Sequence, residues 1–202
     1  MALLKACSTI PELYQFLTEE YKPAADAFIL HRKVEGKYKG ITYNELKEET
    51  NSFAYGLSSL GVGKGNKVAI ISENRPEWVY SDFAVLELSA IDVPMFPSLT
   101  ADSIEFILNN SESKGVIISN KFQLNKIRKI IDKCKHIKFI IVLNENDFDA
   151  EVKNLYTLKQ VQELGRKHMT SHPNLLEETI KQIDENDICT LIYTSGTTGE
   201  PK

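Results

Sequence analysis

With 202 residues, 42% hydrophobic and 26% charged, the chain has the balance of an ordinary globular protein and enough apolar material for a buried core. A formal charge of −4 gives no electrostatic reason to expect a nucleic-acid partner. No apolar run reaches membrane-spanning length, and the start (Met1 to Ile10) lacks the extended apolar stretch of a signal peptide. The three cysteines (Cys7, Cys134, Cys189) show no metal-ligand spacing and suit a reducing, cytoplasmic setting.

Residues 1–43 read as an N-terminal helix and hairpin segment, the hairpin running from Ala27 to Tyr43 with its turn near Gly36. Residues 44–202 then alternate between strand and helix patterns. Thr42 and Glu45 form a capping box, after which Leu46, Thr50, Phe53, Ala54, Leu57 and Leu60 recur at helical spacing until Gly61 stops the helix. Val68 to Ile71 is a short, continuous apolar run, as expected for a strand buried on both faces. Helix is predicted over Pro76 to Ser89, strand over Asp92 to Phe96, helix over Ala101 to Asn110 and strand over Gly115 to Ser119. A helix over Lys121 to Cys134, a strand over Lys138 to Leu143 and an acidic loop over Asn144 to Ala150 follow. Helices over Val152 to Arg166 and Pro173 to Gln182 lead to a last strand over Ile188 to Tyr193. This order predicts an α/β fold, a mostly parallel sheet flanked by helices on both faces.

Other features take plain structural readings. Lys126, Arg128, Lys129, Lys133, Lys135 and Lys138 flank the apolar face of Ile127, Ile130, Ile131 and Cys134. A sheet-covering helix with its lysines in water is the preferred reading, and contact with an anionic membrane surface is the alternative. His31, His136, His168 and His172 are scattered surface residues; Pro173 argues against a continuous helix that would align the last two. Trp78 reads as a core anchor.

The chemistry is concentrated at Tyr193-Thr194-Ser195-Gly196-Thr197-Thr198-Gly199-Glu200-Pro201-Lys202. A buried strand opening into this loop would present backbone N–H groups, hydroxyl donors and one cation at a single point, which is how a polyphosphate is held. A Walker loop is excluded because Glu200 and Pro201 separate Gly199 from Lys202. Gly61, Gly63 and Gly65 lack dinucleotide-fingerprint spacing and precede a strand, so they read as a helix stop and a turn. A solvated Ser/Thr/Gly linker is the bland alternative, and the preceding strand and the terminal Pro-Lys argue against it.

The run Thr194 to Lys202 resembles the phosphate loop of the adenylate-forming enzymes, the AMP-binding superfamily, at every position of that pattern. The resemblance extends upstream through Thr42-Tyr43-Asn44-Glu45-Leu46, Leu60 to Ile70, Asn74-Arg75-Pro76-Glu77-Trp78 and Val93-Pro94-Met95-Phe96-Pro97. Asn66 stands where the family usually has aspartate, and Ser89-Ala90-Ile91-Asp92 where it usually has glycine. Leu191 to Lys202 is most similar to long-chain fatty acid–CoA ligases.

That resemblance implies an acid–thiol ligase using ATP, Mg²⁺ and coenzyme A, with a fatty acid as the carboxylate. The acid attacks the α-phosphorus to give acyl-adenylate and pyrophosphate, and the thiol of coenzyme A then displaces AMP. Gly196 and Gly199 would let backbone N–H groups converge on phosphate oxygens, Ser195, Thr197 and Thr198 would add hydroxyl donors, and Lys202 a point charge. Thr194 would assist the Mg²⁺. The family's adenine, acyl and most coenzyme A contacts lie downstream of this loop. The chain is therefore expected to be an N-terminal portion of a ligase, inactive alone, and no catalytic residue is assigned within it. Another adenylating branch, or a noncatalytic nucleotide-binding module, are the alternatives.

Overall fold

The computed structural model describes residues 7–23 and 27–194. Helix α1 (Ile10–Tyr21) starts at Thr9, whose hydroxyl accepts from the Glu12 N–H. β1 (Phe28–Val34) and β2 (Lys37–Thr42) form the expected antiparallel hairpin. Its turn residues Glu35 and Gly36 both have positive φ (49° and 81°), the backbone twist that matches two paired strands. α2 (Tyr43–Ser59) opens with the predicted capping box: Thr42 Oγ1 accepts from Glu45 N at 3.1 Å, and the Glu45 carboxylate accepts from Thr42 N at 2.8 Å.

The main sheet is parallel and five-stranded, built from β3 (Lys67–Ile71), β4 (Ile91–Met95), β5 (Gly115–Ile118), β6 (Phe139–Val142) and β7 (Leu155–Thr157) in the order β4-β3-β5-β6-β7. Crossovers run through α3 (Pro76–Leu86), α4 (Ala101–Asn110) and α5 (Lys121–Arg128). Alternate strand residues feed opposite layers, as the two-residue strand period requires. Val68, Ile70, Ile117 and Ile141 pack with α2, α3 and α6 (Leu158–Ser171), through Phe53, Leu57, Val85 and Val161. Ala69, Ile71, Val116, Ile118 and Ile140 pack on the other face with Ile104 and Ile107 of α4 and Leu124 and Ile127 of α5. Continuous apolar runs in β3, β5 and β6 follow from burial on both faces. Trp78 is partly buried against the first of these layers.

Several boundaries differ from expectation. The helix predicted to reach Cys134 ends at Arg128: Lys129 N and Ile130 N bond three residues back, and a short 3₁₀ turn follows over Ile131–Lys133. This tighter winding still buries both Ile130 and Cys134. The helix expected from Val152 is preceded by strand β7, and α6 begins only at Leu158 behind a second capping box, Thr157 with Gln160. α6 continues through Ser171 despite Pro173, because His172, the residue that proline restricts, leaves the helix at φ −135°. α7 (Leu175–Ile180) is shorter than predicted.

α6 crosses α2 at two glycines. A Cβ on Gly165 would lie 1.8 Å from the Ser52 carbonyl oxygen, and one on Gly56 would lie 2.1 Å from that of Val161. Glycine at both positions lets the two backbones touch.

Candidate functional site

The approach to the loop begins at a polar turn. Asp187 accepts from Asp184 N at 3.0 Å and from Lys64 Nζ at 2.8 Å, directing the chain toward the β4 edge of the sheet. There Asp92 N donates to the Cys189 carbonyl (3.1 Å) and Leu191 N donates to the Asp92 carbonyl (2.9 Å), setting Thr190 parallel to Asp92. This single bridge replaces the strand predicted over Ile188 to Tyr193. Among the described residues the segment pairs with β4 alone, and no ladder extends from the bridge. Its apolar residues are accordingly not buried on both faces: Leu191 and Tyr193 pack against the α4 layer, whereas Ile188 and Ile192 are 62% and 68% exposed. Tyr193 donates from its hydroxyl to Asn110 Oδ1 at 2.6 Å.

Thr194, the first residue of the predicted loop, is exposed. Ser195, Gly196, Thr197, Thr198, Gly199 and Lys202 lie outside the described residues.

The sequence reading passed over the group that fastens this segment. Asp92 sits within β4, 3% exposed, with Asp82 of α3 and the hydroxyl of Thr190 beside its carboxylate. Burial, then the neighbouring Asp92 charge, pushes the Asp82 carboxyl up to about 7. Burial also raises Asp92, opposed by hydrogen bonds from Thr190 and Asp82. A lone acid inside the apolar run Ile91-Asp92-Val93 was the available signal, since a charged group on a buried strand needs a partner.

The strand order places the topological switch point between β3 and β5, where ligands of open parallel sheets are bound. Glu73 follows β3 there, and Asn120 Nδ2, after β5, donates to it at 3.4 Å. Burial works to raise the Glu73 carboxyl, but its own backbone N–H, Ser119, Asn120 and the Arg75 charge outweigh burial and hold it below the usual carboxylate range. Arg75 reaches across the same edge, donating to Glu77 (2.8 Å) and to Asn144 Oδ1 (2.9 Å). On the opposite side Lys126 donates to the carbonyls of Pro97 (2.7 Å) and Leu99 (2.9 Å), tying α5 to the loop after β4. Of the basic run only Lys126 and Arg128 thus lie on the helix that covers the sheet, and Lys129, Lys133, Lys135 and Lys138 follow its end; Arg128 and Lys133 are paired with Asp149 and Glu105. No helix among the described residues is long and apolar enough to cross a membrane.

Residues 18–202 match the AMP-binding enzyme family. The chain belongs to that family. It is 30% identical over 194 residues to the long-chain-fatty-acid–CoA ligase ACSBG2 of Xenopus laevis, covering 96% of this chain and 25% of that protein. Against fatty acyl-CoA synthetase A of Dictyostelium discoideum it is 33% identical over 175 residues, covering 83% of this chain and 24% of that one. The chain therefore spans about a quarter of the length of these curated relatives. Among solved structures it is similar to an anthranilate CoA ligase, AuaEII, in complex with anthranoyl-AMP (TM-score 0.74, 25% identity, 99% of this chain and 34% of that one). A long-chain-fatty-acid-CoA ligase from Archaeoglobus fulgidus matches in fold, with a TM-score of 0.66 at 22% identity over 92% of this chain and 35% of that one. The α/β architecture is that of the N-terminal portion of adenylate-forming enzymes. Ser89, in the turn before β4, has a φ of +53°, the left-handed conformation that glycine adopts without strain.

Proposed function

We propose that this chain supplies the phosphate-loop portion of an ATP-dependent long-chain fatty acid–CoA ligase and does not complete the reaction by itself. The observation that carries the reading is the ten-residue run Tyr193 to Lys202, met at every position of the family's phosphate-loop pattern and directly continuous with the bridge at Asp92. The relatives' names support fatty acid as the carboxylate class and coenzyme A as the thiol.

Attack of a carboxylate on the α-phosphorus brings two anions together. The protein's task is to neutralise the phosphates, hold the attack in line and stabilise the departing pyrophosphate. Gly196 and Gly199 supply the backbone freedom, Ser195, Thr197 and Thr198 the hydroxyl donors, and Lys202 the charge for the β and γ oxygens. Among the described residues no group of three or more metal-ligating side chains exists, and Thr194 offers one exposed hydroxyl oxygen. These residues fit a Mg²⁺ carried chiefly by the nucleotide, with Thr194 as a supplementary oxygen; bound there, the ion would neutralise phosphate charge.

Aryl-acid activation is a second reading, favoured by the similarity to the anthranilate CoA ligase. Purified chain given ATP, Mg²⁺, coenzyme A and either palmitate or anthranilate should form no thioester; turnover that survives repurification refutes the incomplete-portion reading. In a ligase of the relatives' length carrying this sequence, Lys202→Ala and Thr198→Ala should each slow adenylate formation by roughly 10²–10³. Thioester formation from preformed acyl-adenylate should be spared, because pyrophosphate is present only in the first half-reaction. Equal losses in both half-reactions would remove the phosphate-contact assignment.

A further inference from the structure

The segment that delivers Thr194 is held at two points. The backbone bonds to Asp92 set Thr190 in register with β4. Three residues on, the Tyr193 hydroxyl donates to Asn110 Oδ1 at 2.6 Å. Between these points the chain reaches no more than about 11 Å. Leu191 and Tyr193 turn toward the α4 layer, while Ile192 between them is 68% exposed, the alternation of an extended chain. One fastening sets the register of such a segment and leaves its direction free. The second sets the direction.

Asn110 suits that task because the helix end that carries it is firmly closed. It is the last residue of α4. Ser111 N donates to the Ile107 carbonyl at 2.9 Å, and Ser113 N to that of Leu108 at 3.1 Å. Ser111 Oγ donates to the Ile107 carbonyl and lies 2.7 Å from Ser113 Oγ, both serines being buried. Lys114 N then donates to the Lys67 carbonyl at 2.8 Å, which ties the helix end to β3. The Tyr193 side is equally definite. Its ring is half-buried, and burial raises its hydroxyl above the usual range, so it remains a protonated donor. Beyond it the chain enters Thr194 and then a stretch with Gly196 and Gly199, where the sequence gives the backbone most freedom.

We infer, resting on the reading of Tyr193 to Lys202 as the loop that holds the ATP phosphates, that Asn110 is a positioning residue: it acts through Tyr193 to fix the direction in which Thr194 leaves the sheet edge. A displacement at the root of a loop is carried to every donor further along it. Those donors serve the β and γ phosphates, so the loss falls on ATP and on the half-reaction that releases pyrophosphate.

The test uses a ligase of the relatives' length carrying this sequence. Pyrophosphate exchange reads adenylation, and thioester formation from preformed acyl-adenylate reads the second step. Asn110 is exposed, so its replacement leaves the core untouched. Asn110→Leu and Tyr193→Phe should each raise the KM for ATP about fivefold, the effect of one neutral hydrogen bond, with the KM for the fatty acid unchanged. Thioester formation should be spared. The double variant should lose no more than either single one, because both remove the same bond. Asn110→Asp keeps an acceptor oxygen and should restore the affinity for ATP. An unchanged KM in Asn110→Leu, additive losses in the double variant, no rescue by Asn110→Asp, or equal slowing of both half-reactions would overturn the assignment. Lys202→Ala, measured alongside, separates the two claims. A selective adenylation defect there with a silent Asn110→Leu refutes the role of Asn110 alone, whereas equal losses in both half-reactions for Lys202→Ala refute the loop reading beneath it.

Discussion

Glu87→Gln should leave the protein's stability nearly unchanged in acid and raise it substantially in base. Glu87 ends α3 at zero exposure, receives one hydrogen bond from Gln15, and has its second oxygen unmatched. Burial pushes its carboxyl up to about 7, opposed by the Gln15 bond and the Lys47 charge. The folded state thus holds a proton that the unfolded chain releases near 4.5. Wherever the native state binds more protons than the unfolded one, stability falls as pH rises. The contribution of this site is fully present below about 4.5 and is lost as pH passes through about 7. The gap between those two values corresponds to about 3 kcal/mol at 1.36 kcal/mol per unit, without a screening discount because the group is wholly buried.

Glutamine keeps the acceptor for Gln15 and never ionises, so it removes only the ionisation penalty. Urea unfolding of both proteins at pH 4.5 and pH 8.5 isolates the effect, since every other titrating group is common to the pair. The stability difference between variant and parent should grow by about 3 kcal/mol from the lower to the higher pH. At a urea slope of about 2 kcal/mol per molar this is a midpoint displacement of about 1.5 M at pH 8.5. A displacement of the same size at both pH values would show that ionisation of Glu87 is not the cause. A less stable variant at pH 8.5 would show that the carboxylate is held by contacts stronger than its desolvation.

Asp82→Asn should behave similarly, gaining stability at pH 8.5 and little at pH 4.5, because burial and the Asp92 charge raise Asp82 to about 7; a flat difference across that range in urea titrations counts against ionisation of Asp82 as the cause. Gly165→Ala should cost at least about 1–3 kcal/mol in urea unfolding, since its methyl would meet the Ser52 carbonyl rather than a side chain that can move; an unchanged midpoint would show that α2 and α6 are not held in backbone contact. Ser89→Gly should gain up to about 1 kcal/mol by relieving left-handed strain, partly offset by greater freedom in the unfolded chain; a loss of thermal stability would mean that the serine hydroxyl makes a compensating contact.

What was legible in the sequence was local. The capping box at Thr42 and Glu45, the helix stop at Gly61 and the Glu35-Gly36 turn are each made by residues a few positions apart, so each leaves its mark within a short window. The same logic was available at Thr157 and Gln160, which also form a capping box; reading it would have moved the start of α6 and exposed β7. β7 itself leaves a faint trace because three residues barely establish a strand period. The premature end of α5 has no comparable marker: the apolar spacing of Ile127, Ile130 and Cys134 serves a 3₁₀ turn as well as a continued helix.

The segment before Thr194 shows why a correct motif can be paired with a wrong element. Ile188 to Tyr193 has the composition of a buried strand, but a strand exists only through its neighbours, and the pairing partner is about a hundred residues away in the chain. What fixes its course among the described residues is the two backbone bonds at Asp92, reinforced by the buried Asp92 side chain and the half-buried Asp82 and Thr190 beside it, rather than apolar burial along its length. A polar fastening of this kind is directional where hydrophobic contact is not, and so sets the register of the chain at one residue. That register decides which residue follows at the surface. It is Thr194, the first member of the phosphate-loop pattern, so Asp92 holds the position from which the candidate site starts.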